Sequence, residues 1–234
     1  MLPKLLKTMD KIKFPWVTLL YLFIGLFVLY FLSRFWIPQG VTLGGHDSGL
    51  SFDSKSFFLS RLFAWNKNIG FGVDNSYLFG SLTLHFVDFF STLVSGNNFA
   101  GNWFNLFFWL SMLFVASLFF SYHLKEKLGK YFIFLFPPLI VFNFYISQSI
   151  FILERAKYSV LIGILFFLPI VFKLQEKKLS IVLSSILAAF IFFFFNGGSL
   201  LAISLYGNLF VLLLGIFIFH LLLGIANKDF SYIR

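Results

Sequence analysis

The chain has 234 residues, 59% of them hydrophobic and 12% charged, with a mean hydropathy of +0.91. Soluble domains carry about 25% charged residues, so this composition excludes an ordinary water-soluble globule. The net charge of +9 would raise nucleic-acid binding in a soluble protein, but here the lysines cluster between apolar runs, where they set membrane orientation, and no nucleic-acid partner is expected. Cysteine is absent, which removes disulfides and thiolate metal sites.

The expected fold is all-α: a polytopic transmembrane helix bundle of about six spans, with an interfacial or re-entrant helical outer loop. Several apolar runs reach the roughly 20 residues a spanning helix needs. Residues 16–37 form the first, preceded by Lys4, Lys7, Lys11 and Lys13 and flanked by Trp16 and Trp36. Basic residues are retained on the cytoplasmic side and aromatics sit at the interfaces, so the N-terminus is expected in the cytoplasm of a bacterial-type inner membrane. A secretory signal would have a shorter apolar core and a small-residue cleavage site, and Trp36-Ile37-Pro38 is no such site.

Residues 38–102 then form an extracytoplasmic loop region. Residues 40–80 within it are rich in glycine and hold His46, Asp47, Asp53 and Asp74. Residues 56–65 place Phe57, Phe58, Leu62 and Trp65 at helical spacing, which predicts a short amphipathic helix in the interface, with Asp53 as its N-cap. Residues 66–72 read as a turn-rich break. Residues 77–94 are apolar enough to cross but carry His85 and Asp88, and an Asp in mid-membrane costs about 3 kcal/mol. If this stretch spanned, the lysine-rich segments at 125–130 and 173–178 would both lie outside. It is therefore read as a re-entrant or interfacial helix pair. The remaining spans are 103–123, 131–150 with a kink at Pro137-Pro138, 158–172, 179–195 and 200–226, which leaves both termini inside.

With this topology the acids gather on the outer side, and the cytoplasmic loops are short and mostly lysine. An active site at the outer face suits a lipid-linked substrate whose head group protrudes from the bilayer. Asp47, on a Gly-Gly-His-Asp-Ser-Gly turn soon after the first span, is either a general base or a turn cap. Arg155 and Lys157 flank an outer helix start and are either ligands of a lipid phosphate or interfacial anchors; Arg61 is a third cation on that side. His85 and Asp88, three apart, share a helix face. They either pair with each other in a buried polar patch or join His46 and Asp47 around a divalent cation.

The order of these pieces resembles the first outer loop of GT-C class membrane glycosyltransferases, and in particular the N-terminal membrane domain of the large arabinofuranosyltransferases of cell-wall arabinan. The matching pieces are Asp47, Asp53, Phe63-Ala64-Trp65, Gly70 to Gly72, Asn75 and Tyr77, followed by Asn143-Phe144-Tyr145, Arg155 and Asn196-Gly197-Gly198. Where that family has Phe-Pro after the Tyr element, this chain has Phe79-Gly80. The family's proteins are much longer, so residues 1–234 are expected to be a single GT-C-like domain, an N-terminal fragment or a reduced relative that needs a partner subunit.

The resemblance implies transfer of a sugar from a polyprenyl-phosphate donor to a glycan or lipid acceptor. It implies catalytic Asp47 and Asp53, and donor or acceptor contacts from Arg61, Trp65, Asn75, Tyr77, Arg155 and Lys157. No resident cofactor is implied beyond the divalent cation just weighed. A transporter or flippase component for lipid-linked sugars, and a non-catalytic membrane subunit or truncated product, are the competing expectations.

Overall fold

The computed structural model describes residues 14–43, 51–62, 65–66, 73–74, 82–143, 155–176 and 178–195. Among them are seven helices and one short β-ladder. These are α1 (Phe14–Trp36), α2 (Ser54–Arg61), β1 (Trp65–Asn66), β2 (Val73–Asp74), α3 (Leu82–Ser95), α4 (Trp103–Leu128), α5 (Phe132–Val141), α6 (Arg155–Gln175) and α7 (Ile181–Phe194).

Three helices are long and apolar enough to cross a membrane: 16–36 in α1, 103–125 in α4 and 157–174 in α6. The chain is a helical membrane protein. Three of the expected spans coincide with these helices. Two others correspond to shorter apolar helices, α5 and α7, and the span expected at 200–226 lies outside the described residues. In α5 the helix reaches only Val141, just past Pro137 and Pro138, where each ring removes a backbone donor.

The central element is α4. It packs against α1, α3, α5 and α6, while α2 lies on α3 and α7 lies on α6. Its sequence makes it central because apolar residues surround it: Leu106, Trp109, Leu110 and Leu113 are fully buried, and Phe114 nearly so. A helix that is apolar all round is a buried one. By contrast α1 turns Leu20, Phe23, Phe27, Phe31 and Phe35 outward, and α7 exposes Ile181, Val182, Ile186 and Phe190. Those faces are what lipid would cover. Close approach of α1 to α4 rests on Gly25, where any Cβ would run into the Phe114 ring.

Helix ends are fixed by local chemistry. The Asn102 side chain caps α4 by accepting from the Asn105 N–H at 3.0 Å, and Ser180 caps α7 by accepting from the Leu183 N–H at 3.2 Å. Gly129, at φ +90°, ends α4 in a backbone conformation that suits glycine. After α1 the chain turns through Pro38 and Gly40, the latter at φ +82°.

The chain then returns directly to the start of α4. The Leu43 N–H donates to the Gly101 carbonyl at 2.6 Å, and the Ala100 N–H donates to the Ser51 carbonyl at 3.1 Å. The Arg34 guanidinium stacks over the Trp103 ring at 4.7 Å. The C-terminal end of α1 and the N-terminal end of α4 therefore lie together, as they must if no span intervenes between them. The intervening α3 is 14 residues long. At 1.5 Å per residue it reaches about 21 Å, short of a hydrocarbon core of about 30 Å. One helix, rather than a pair, occupies this stretch among the described residues.

Candidate functional site

The polar centre is built where the middle of α3 meets the N-terminal ends of α4 and α6. An Asp inside an apolar helix must find a counter-charge and donors or it will not stay ionised. Asp88, only 2% exposed, finds both: its carboxylate pairs with the Arg155 guanidinium, and its Oδ1 accepts from Asn105 Nδ2 at 2.7 Å. Arg155 is 5% exposed. Burial pushes its guanidinium down to about 10, which still leaves it cationic at neutral pH. Both charges are thus withdrawn from solvent and neutralise each other.

Three elements set this geometry. The Asn102 cap fixes the first turn of α4 and aims Asn105 inward; the second amide hydrogen of Asn105 goes to the Ala100 carbonyl at 2.8 Å. Asp88 stands one turn beyond His85 on the inner face of α3. Arg155 is the first residue of α6, two positions before the apolar stretch 157–174, so its side chain enters the cluster from the helix start. His85 Nδ1 lies 3.6 Å from Asp88 Oδ2, too long for a hydrogen bond, and its ring meets the Phe57 ring edge-on at 4.7 Å. Phe58 stacks on Phe89 at 5.5 Å, so the amphipathic face expected of α2 packs on α3 through Phe57 and Phe58, while Leu62 is exposed.

Not every polar atom here is satisfied. Asn105 Oδ1, Trp109 Nε1 and Ser159 Oγ are buried and have no hydrogen-bond partner among the described residues. Asn105 and Trp109 lie one turn apart on α4, and Ser159 lies one turn after Arg155 on α6. An unmade buried hydrogen bond costs about 1–3 kcal/mol, so these atoms are capacity for a polar ligand or ordered water.

The sequence-derived candidates divide as follows. His85 and Asp88 lie in a buried patch, joined by Arg155, which is buried against Asp88. Lys157 is half-buried near the start of α6. Asp53 is exposed and caps α2: its Oδ1 accepts from the Ser56 N–H at 3.0 Å. The Ser56 hydroxyl and N–H together hold its carboxyl below the usual value.

Arg61 closes α2 and Trp65 opens β1, and for both only the backbone is described. Trp65 pairs with Asp74 and Asn66 with Val73 in an antiparallel ladder that brackets the expected break. His46, Asp47, Asn75 and Tyr77 lie outside the described residues, as do Gly70 to Gly72, Phe144, Tyr145 and Asn196 to Gly198. Among the described residues no three His, Asp or Glu side chains gather as metal ligands; His85 and Asp88 alone supply two donors, and Asp88 already holds Arg155 and Asn105.

Asn105 was not singled out from sequence. The signal that points to it is the Asn102–Asn105 pair opening an apolar helix, where one Asn caps and the other is left to face the core. No protein family, no curated protein and no solved structure matches this chain.

Proposed function

We propose that this chain is a membrane glycosyltransferase that moves a sugar from a polyprenyl-phosphate donor to a glycan or lipid acceptor of the cell envelope. In this reading it is a six-span protein of a bacterial-type inner membrane, with its N-terminus in the cytoplasm and the site at the outer face. The observation that carries the proposal is the buried Asp88–Arg155–Asn105 cluster with its unmatched hydrogen-bonding atoms, near the start of α4 where Leu43 and Ser51 bond to Gly101 and Ala100. Ionisable groups held inside an apolar bundle are expensive, and function is the usual reason to keep them.

In the proposed reaction the acceptor hydroxyl oxygen attacks the anomeric carbon as the bond from that carbon to the phosphate oxygen breaks. Asp47 takes the hydroxyl proton. The polyprenyl phosphate leaves with the bonding electron pair, and positive charge develops on the sugar ring in the transition state. Asp88 holds the charge of Arg155, so Arg155 acts as a positioning residue that ties α6 to α3 and α4, and Lys157 and Arg61 supply the cations for the donor phosphate. Asp53 orders α2 beside the site.

One observation favours a second reading, a non-catalytic membrane subunit that works with a partner: Asp88 and Arg155 neutralise each other, and a satisfied pair can serve architecture alone. The two readings separate in one experiment. Membranes containing the chain are supplied with radiolabelled polyprenyl-phosphate sugars, comparing wild type with Asp47→Ala at matched expression. Transfer lost only in the variant supports the enzyme. Equal transfer by both refutes Asp47 as the base, and no transfer by either with any donor refutes the enzyme and leaves the subunit.

A further inference from the structure

At the end of the bundle opposite the ion pair, residues of α4 and α6 line a second polar place. Because Asn105 near the start of α4 and Arg155 at the start of α6 both meet Asp88, the two helices run parallel, and their C-terminal ends bound a cavity of about 240 Å³. Pockets for drug-sized ligands begin at about 300 Å³, so this one suits a small head group and not a whole lipid-linked sugar.

The lining is strongly basic. Lys125 comes from α4, Lys173 from α6 and Lys178 from the turn before α7, against a single acid, Glu176. Glu176 pairs with Lys178 at 2.9 Å, and the lining as a whole carries three ammonium groups against one carboxylate. Lys125 Nζ lies 3.7 Å over the ring of Tyr122, which is also part of the lining. His123 Nδ1–H donates to the Phe119 carbonyl at 2.8 Å, so its other ring nitrogen is available to the same space.

Position decides what kind of anion belongs there. The apolar stretch of α4 ends at Lys125 and that of α6 at Leu174, so the cavity opens at the level where a spanning helix leaves hydrocarbon for head groups. Basic pockets between transmembrane helices at this level take anionic lipid phosphates. We infer that the cavity between the C-terminal ends of α4 and α6 binds the phosphate of an anionic phospholipid in the adjacent leaflet. The bound lipid bridges α4, α6 and the turn before α7, each of which brings a lysine to the cavity.

The test is a lipid titration of the purified full-length chain in neutral detergent, read by native mass spectrometry. The lipids are dioleoyl-phosphatidylglycerol and dioleoyl-phosphatidylcholine, with inorganic phosphate as a competitor. One phosphatidylglycerol per chain should be retained at concentrations where phosphatidylcholine is not. Lys125→Gln with Lys173→Gln should weaken it about twenty-five-fold, about five-fold for each interfacial charge removed. Glu176→Gln should tighten it by about five-fold, and Lys55→Gln, exposed on α2, should change nothing. If the double variant does not fold, Glu176→Gln carries the test, and failure to tighten overturns the proposal. Equal retention of both lipids, displacement by millimolar phosphate, wild-type binding by the double variant, or an equal loss in Lys55→Gln each overturns it.

Discussion

Neutralising Asp88 without touching its shape isolates the electrostatic part of the buried cluster. Asp88→Asn keeps an oxygen to accept from Asn105 but removes the counter-charge of Arg155, which is 5% exposed and has little access to water. Breaking a buried pair from one side costs about 3–5 kcal/mol, because it leaves a bare charge in a poor solvent. Arg155→Met has a matching cost, since it strands the carboxylate. In the double variant neither charge remains, so its cost should be about 1 kcal/mol, well below the sum of the singles. Reversible unfolding in mixed micelles, titrated with a denaturing detergent, measures all three. The reasoning is refuted if the two effects add to within about 0.5 kcal/mol, or if Asp88→Asn costs less than about 1 kcal/mol, as an exposed pair would.

Asp53 and Asp47 should separate by role: Asp53→Asn preserves a side-chain cap and leaves sugar transfer at the wild-type rate, whereas Asp47→Asn abolishes it, with transfer assays on both as the check. The folded carboxyl of Asp53 sits below its unfolded value of 3.8. Its support for α2 is therefore fully present above pH 3.8 and lost as pH falls through the lower folded value, and the protection of α2 amides relative to their intrinsic exchange rates should fall only in that acid range. Two glycines should differ by cause. A Cβ at Gly101 would strike the Leu43 carbonyl, so Gly101→Ala should cost about 1–3 kcal/mol, while at Gly40 nothing crowds the Cβ and only the positive φ is strained, about 1 kcal/mol; micellar unfolding midpoints read both. Trp109→Ala, in the fully buried heart of α4, should cost about 3–5 kcal/mol, whereas Trp16→Ala, 65% exposed at the end of α1, should cost less than about 0.5 kcal/mol in the same assay.

Much of this arrangement was legible in the residues because membrane rules act locally. Long apolar runs at 16–36, 103–125 and 157–174 must be helical, since lipid offers backbone groups no partner. Asp53 before Ser54 to Ser56 had to cap, and it does. The His85–Asp88 spacing placed both on one face of α3, and both are buried there, with Asp88 held by Arg155 and Asn105. What was not legible is who answers Asp88. Arg34, Arg61 and Arg155 are all guanidinium donors on the same expected side, and sequence separation says nothing about which is nearest. Arg155, read from the sequence as a ligand for an outside phosphate or an interfacial anchor, is turned inward because α6 starts against α3 and α4.

The sequence by itself therefore determined the class of protein, the positions of its long helices and the chemistry of its caps, because hydropathy over about 20 residues and hydrogen bonding within one turn are short-range quantities. Tertiary structure alone decided the rest. It made α4 the axis, it set both Arg155 and Asn105 on Asp88, and it brought Lys125 and Lys173, 48 positions apart in the chain, to one cavity. Such pairings depend on which helix faces meet, and that is settled by packing the apolar surfaces of several segments at once, a quantity no single stretch of residues carries.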